Sequence, residues 1–134
     1  MAQRNGFGNL TMRQRGDGLV EFALIVPLLL LLLFAVLDGG RAVYAYHVVA
    51  NAAREGARFA SVSTRTQTEV RNAILSSAVG LDPARLTVTL SNPTGTSVKV
   101  DVRYDFELIT PIVAQAMGRE TLVLHSAATM YNGY

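Results

Sequence analysis

The chain has 134 residues, half of them hydrophobic and 16% charged, which leaves room for one compact domain or for a smaller domain plus one long segment. It contains no cysteine, so a disulfide scaffold, a thiolate metal site and a cysteine nucleophile are excluded. The formal net charge of +2 is unevenly spread: residues 1–16 hold Arg4, Arg13 and Arg15 and no acid, while bases and acids nearly balance over the rest. A basic patch on a folded domain is the footprint of nucleic-acid binding. That pattern is lacking, and no nucleic-acid partner is expected.

Residues 1–16 carry few apolar groups and read as a disordered, basic, cytoplasm-retained leader. From Gly18 to Leu37 the sequence is GLVEFALIVPLLLLLLFAVL, with one charge, Glu21, and one proline, Pro27. As a helix this run is about 30 Å long, the thickness of a bilayer's hydrocarbon core. Proline breaks a helix in water but is tolerated in a membrane helix, with a local kink. Asp38 and Arg41 close the run. The arginines before it predict a cytoplasmic N-terminus and a C-terminal part outside. The other reading, a secretory signal cut after Val43-Tyr44-Ala45 so that Tyr46 becomes the first residue, fits less well, because the run is long and carries Glu21.

Helical character continues through RAVYAYHVVANAAREGARFASV at 41–62. Ala45, Val49, Ala52, Gly56 and Ala60 fall on one face at helical spacing, and small residues allow a neighbouring backbone to come close. We read this as a packing face within the chain ahead of a seam between subunits. Arg54, Glu55 and Arg58 occupy the wet face. The pattern predicts one helix from about Gly18 to about Ser61, apolar first and amphipathic after.

Thr66 and Glu69 are spaced as a capping box for a short helix over 67–80, with Gly80 and Pro83 as its stop. Residues 86–90 alternate apolar and hydroxyl side chains, and 97–106 place Val98, Val100, Val102, Tyr104 and Phe106 on one face. With the turn SNPTG between them, these form an antiparallel hairpin. Thr110, Pro111 and Gly118 bracket a short helix, and 120–131 read as a last strand. The fold class is therefore α+β: a long N-terminal helix packed on a small antiparallel sheet of about three strands, with two short helices. The expected organisation is a leader over 1–16, a transmembrane part over 17–38, an amphipathic continuation over 39–62 and a small extracytoplasmic domain over 63–134.

No motif of hydrolytic, metal-dependent or phosphate-binding chemistry is present, and His47 and His125 have no ligand-like spacing. No enzyme activity, cofactor, metal or small-molecule substrate is expected. The residue that demands a role is Glu21, because a carboxylate inside the apolar run costs about 2.5–3.5 kcal/mol and normally has a partner.

The stretch Arg15-Gly16-Asp17-Gly18-Leu19-Val20-Glu21-Phe22, a basic leader ending in glycine with glutamate five residues on, resembles the class III signal of type IV pilins. The resemblance narrows beyond it. GLVEFALIVPLLLLLL, then Asp38 to Arg41 and NAAREGARFA at 51–60, is similar to the TadE-like family, minor pseudopilins of the tight-adherence (Flp, type IVc) pilus system. The resemblance implies cleavage by prepilin peptidase between Gly16 and Asp17. It also implies that Glu21 and Phe22 set helix assembly and register, with the new α-amine of Asp17 neutralising Glu21 of a neighbour. Implied partners are prepilin peptidase, other minor pseudopilins, the major pilin, the inner-membrane platform and the lipid bilayer. The implied place is the inner membrane, with passage into an extracellular adhesive pilus after processing. The alternatives are a single-pass accessory subunit of a larger membrane complex and a filament-forming pilin-like subunit.

Overall fold

In a computed structural model the described residues are 10–62, 65–92 and 95–131. Helix α1 runs Leu10–Ser61, α2 Gln67–Ser77 and α3 Pro111–Met117; strands are β1 Leu86–Ser91, β2 Ser97–Glu107 and β3 Thr121–Tyr131, and a single 3-10 turn covers Pro83–Arg85. The chain divides into two compact units, Met1–Val36 and Leu37–Tyr134.

In the first unit the helix is continuous through Pro27. It begins at Leu10, earlier than the composition of the leader predicts. Leu, Met, Arg and Gln are good helix formers, and each residue added to an existing helix gains a hydrogen bond without a new nucleus. The expectation of disorder for 1–9 lies outside the described residues. The apolar run buries nothing: Leu19, Val20, Phe22, Leu24, Leu28, Leu29, Leu32 and Val36 are all exposed. A helix that is apolar all round and uncovered needs an apolar surrounding.

The second unit is a helix layer on a three-stranded antiparallel meander of order β1-β2-β3. The register pairs Leu86 with Tyr104, Val88 with Val102 and Leu90 with Val100, then Val100 with Ala128, Val102 with Ser126 and Tyr104 with Leu124. Those residues share one face because side chains alternate along a strand. The central strand is the most buried, with Val100 and Val102 fully covered. Against this face lie Val49, Ala52, Ala53 and Ala57 of α1 and Val70 and Ile74 of α2, in one core cluster. Each fully buried Val or Ile contributes about 1.5–3 kcal/mol relative to exposure.

Alanine and glycine on α1 set how closely the layers approach. A Cβ added at Gly56 would stand 2.6 Å from both Cγ1 and Cδ1 of Ile74 and 3.4 Å from Cγ1 of Val100. Gly56 is therefore the point where α1 meets α2 and the middle of β2 at once.

Helix α2 opens with the capping box that the spacing predicts. The Glu69 N–H donates to Thr66 Oγ1 at 3.3 Å, and the Thr66 N–H donates to Glu69 Oε2 at 2.9 Å. The helix ends at Ser77, three residues before the predicted stop. Gly80 takes a left-handed φ of 81°, the Leu81 N–H donates to the Ala78 carbonyl, and residues 78–81 turn rather than wind on. Asp82 then caps the 3-10 turn by accepting from the Ala84 N–H. Pro93 and Thr94 of the predicted hairpin turn lie outside the described residues, and Gly95 beside them has a φ of 74°. Gly118 closes α3 at a φ of 66°, its N–H donating to the carbonyls of Ala114 and Gln115.

Candidate functional site

Gly16, Glu21 and Phe22 all lie on exposed surface of α1 in the first unit, Phe22 being 65% exposed. A Cβ at Gly16 or Gly18 would meet nothing within 4 Å, so these glycines are not there for close packing. Each costs a helix interior about 0.8–1.0 kcal/mol relative to alanine, so the helix is locally weakened at Gly16 and Gly18. Downstream, the carboxylate of Glu21 stands alone among apolar neighbours along the run.

The small-residue face lies in the second unit and is covered. Ala45, Val49, Ala52, Gly56 and Ala60 are all buried, joined by Ala53 and Ala57, which the spacing did not single out. The cover is α2 and the sheet of the same chain.

The residue that sequence reasoning missed is Asp38. It had served only as the end of the apolar run, yet it is 4% exposed. Its Oδ2 accepts from the Thr110 N–H at 2.9 Å, and its Oδ1 accepts from the Ile109 N–H at 3.4 Å and from Arg41 Nη1 at 3.2 Å. The carboxylate thereby bolts the loop before α3 to α1 across 72 positions of sequence. Thr110 makes no side-chain cap of its own helix. The only signals for this bolt were an acid at the edge of the run, an arginine one turn on and a Thr-Pro pair. None of them names the partner.

Arg41, held by Asp38, also lies over the Phe106 ring, its Cζ 5.1 Å from the centroid. Cations over an aromatic face gain about 0.5–1 kcal/mol when exposed. Arg41 and Phe106 border a cleft of about 440 Å³ with Arg85, Tyr104, Glu107, Leu108 and Ile109. Arg85 is paired with Glu107 and Asp82 there, so the cleft's charges are largely satisfied within the chain.

The histidines are apart. His47 is exposed on α1, near Tyr46 in an edge-on ring contact. His125 pairs with Asp101 across β2 and β3, Nε2 to Oδ2 at 2.7 Å. The hydrogen bond from His125 holds the Asp101 carboxyl below its ordinary range, and Arg103 adds to this. Among the described residues, no three His, Asp or Glu side chains are grouped to hold a metal.

These features define a class: a protein with one N-terminal helix long and apolar enough to cross a membrane, joined to a small α+β unit. Residues 16–58 match the family model described as TadE-like protein, the same family that the motifs resemble. The match begins at Gly16, takes in the apolar run, Asp38 and Arg41, and ends inside the buried small-residue face. It points to involvement in a tight-adherence pilus system and to a membrane anchor. No curated protein and no solved structure matches the chain.

Proposed function

We propose that this protein is a minor pseudopilin of a tight-adherence (type IVc) pilus, anchored by residues 18–37 with its N-terminus in the cytoplasm and residues after Asp38 outside. Prepilin peptidase cuts between Gly16 and Asp17. Glu21 becomes the fifth mature residue and pairs with the α-amine of a neighbouring subunit, in a medium of low dielectric where such a pair is strong and an unpaired carboxylate is costly. The protein primes, caps or joins the filament with other minor pseudopilins and the major pilin, through the inner-membrane platform.

The observation that carries this reading is the coincidence of boundaries. The family match starts at Gly16, where two unpacked glycines weaken the helix, and the exposed apolar run with its single carboxylate begins immediately after. A peptidase needs a locally opened backbone, and the two glycines lower the cost of opening it here. Because the small-residue face is already covered by the chain's own sheet, lateral association falls to the uncovered run at 18–37.

The test is the mature N-terminus, read by mass spectrometry of membrane and sheared-surface fractions. A chain starting at Asp17 and present in the sheared fraction is the expected result. A chain starting at Met1 or Ala2 and confined to membranes would replace this reading with that of an anchored accessory subunit. A start at Tyr46 would mean a secretory signal.

A further inference from the structure

The sheet of the second unit has two open edges: among the described residues, β1 and β3 each pair with β2 alone. Strand β3 is the longer exposure. It has eleven residues in unbroken register with β2, and none of them is Asp, Glu, Lys, Arg or Pro. Edge strands that stay unpaired are normally short, bulged or charged, and β3 is none of these. Its core-side residues Leu122, Leu124, Ala128 and Met130 are only partly covered. Strand β1 is six residues long and equally free of charge.

The hydrogen bonds say which backbone groups each edge offers. The Leu108 N–H donates to the Glu120 carbonyl, one step beyond the pair of Glu107 with Thr121. Bonds of an antiparallel ladder join directly opposed residues at every second position. The even-numbered residues of β3 therefore bond to β2, and the odd-numbered ones turn their N–H and C=O groups outward. Strand β2 then bonds to β1 through its own odd-numbered residues, so Leu86, Val88 and Leu90 turn theirs outward at the other edge. The outward-bonding residues of β3 have side chains on the exposed face, whereas those of β1 have side chains on the core face.

This parity restricts how one copy can extend the sheet of another. In an antiparallel pair, bonding residues oppose each other on one face. Antiparallel β1 would thus set Leu86, Val88 and Leu90 beside exposed-face residues of β3 and put the two cores on opposite sides. In a parallel pair a bonding residue lies opposite a non-bonding one. Parallel β1 then sets Thr87 and Thr89 on the exposed face of β3, and its apolar residues continue the row of Leu122, Leu124 and Met130. Pairing β3 with β3, or β1 with β1, also matches faces, but through a two-fold axis perpendicular to the sheet. The Leu37–Ser61 stretch of α1 packs along that sheet, so the axis turns it end for end. The Leu37 ends, from which each chain continues into its apolar run, then lie on opposite sides of the pair.

We infer that the open edge of β3 is a docking edge for β1 of a second copy of this chain, taken up in parallel. It is the copy-to-copy pairing that keeps the apolar face continuous and both α1 helices in one sense. The contact is heterologous and does not close on itself: each copy offers β3 to one neighbour and β1 to the next, so copies form a row with one continuous sheet. The row adds a contact outside the bilayer to association through the run at 18–37. Its choice over the two-fold pairings rests on the proposed reading that this run spans one bilayer in every copy.

The chain has no native cysteine, so placed cysteines report contacts in the full-length protein. Thr89→Cys is mixed in turn with Val123→Cys, Ala127→Cys and Thr129→Cys, all on the exposed sheet face, in phosphatidylcholine and phosphatidylglycerol vesicles. The vesicles are oxidised, washed with alkaline carbonate and run on a gel without reductant. Within one chain, Thr89 and Ala127 both oppose Asp101 and stand about 9–10 Å apart, beyond the reach of a disulfide. The expected result is a linked pair from Thr89→Cys with one of the β3 variants and only single chains from each protein by itself. Carrying both of those cysteines in one chain should then give a ladder of three copies and more. A β3 variant that links to itself overturns the row in favour of a two-fold pair. Chains that stay in the carbonate-washed membrane but link in no mixture overturn the docking edge and leave the anchor standing. Chains stripped by carbonate overturn the anchor, and with it the choice of the parallel pairing.

Discussion

Asp38 is a buried carboxylate that ties two distant parts of the chain together. The hydrogen bonds it accepts from the Ile109 and Thr110 N–H groups join α1 to the loop before α3, a third comes from Arg41 on α1 itself, and Thr110 is itself buried. Asp38→Ala leaves the Thr110 N–H without its acceptor, at a cost of about 1–3 kcal/mol for a buried orphaned group. A thermal melt of the detergent-solubilised chain, followed by circular dichroism, should show the loss. Asp38→Asn, which keeps one accepting oxygen, should fall between the two. Asp101 predicts a pH dependence. Its carboxyl titrates below the ordinary carboxylate value when folded, because His125 and Arg103 favour the charged form. Its contribution to stability is therefore complete above the unfolded value of about 3.9 and is lost as pH falls through the lower folded value. Asp101→Asn should flatten the acid limb of the melting temperature between about pH 5 and pH 2 and leave neutral pH less affected.

At the scale of elements, the contact of α1 with α2 and β2 tolerates no added atom at Gly56. Ile74, against which a new Cβ would press, is fully buried and stiff at χ1, so shifting it disturbs the core packed around it. Gly56→Ala should therefore destabilise the unit by about 1–3 kcal/mol, although alanine is the better helix former, and chemical denaturation of the two proteins will give the sign. Helix α2 is short enough to depend on its cap. Thr66→Ala removes the acceptor of the Glu69 N–H and should cost about 1 kcal/mol. Amide exchange should then rise first at residues 67–70.

At the scale of the whole molecule, the two units have opposite surfaces. Residues 18–36 form a helix with its apolar side chains uncovered, whereas Leu37–Tyr134 closes its own core. A chain of this kind is held by its surroundings at one end and by itself at the other. Glu21→Ala, a change confined to the first unit, should leave folding and cleavage intact and abolish assembly of the surface filament. Substituting Gly16 should block cleavage. Electron microscopy of the cell surface and the mass of the membrane form separate the two effects, and normal filaments from Glu21→Ala would refute the proposed pairing.

The apolar run, its single carboxylate, the capping box of α2 and the alternation of β2 are all local patterns. Each can be read within a window of a few residues because helix and strand periods and cap spacings are properties of neighbouring backbone. The sequence by itself thus determined the α+β class, the hairpin of β1 with β2, and the match to the TadE-like family over 16–58, while the pairing of β3 with β2 came from the structure. It also marked Ala45, Val49, Ala52, Gly56 and Ala60 as a close-approach face, but not which surface approaches. Only the tertiary structure decided that α2 and β2 cover that face, and that Asp38 reaches Ile109 and Thr110 rather than water. The reason is the same in both cases. The partner of a buried carboxylate or of a glycine contact is chosen by chain closure over tens of residues, and no periodicity in the sequence records that distance.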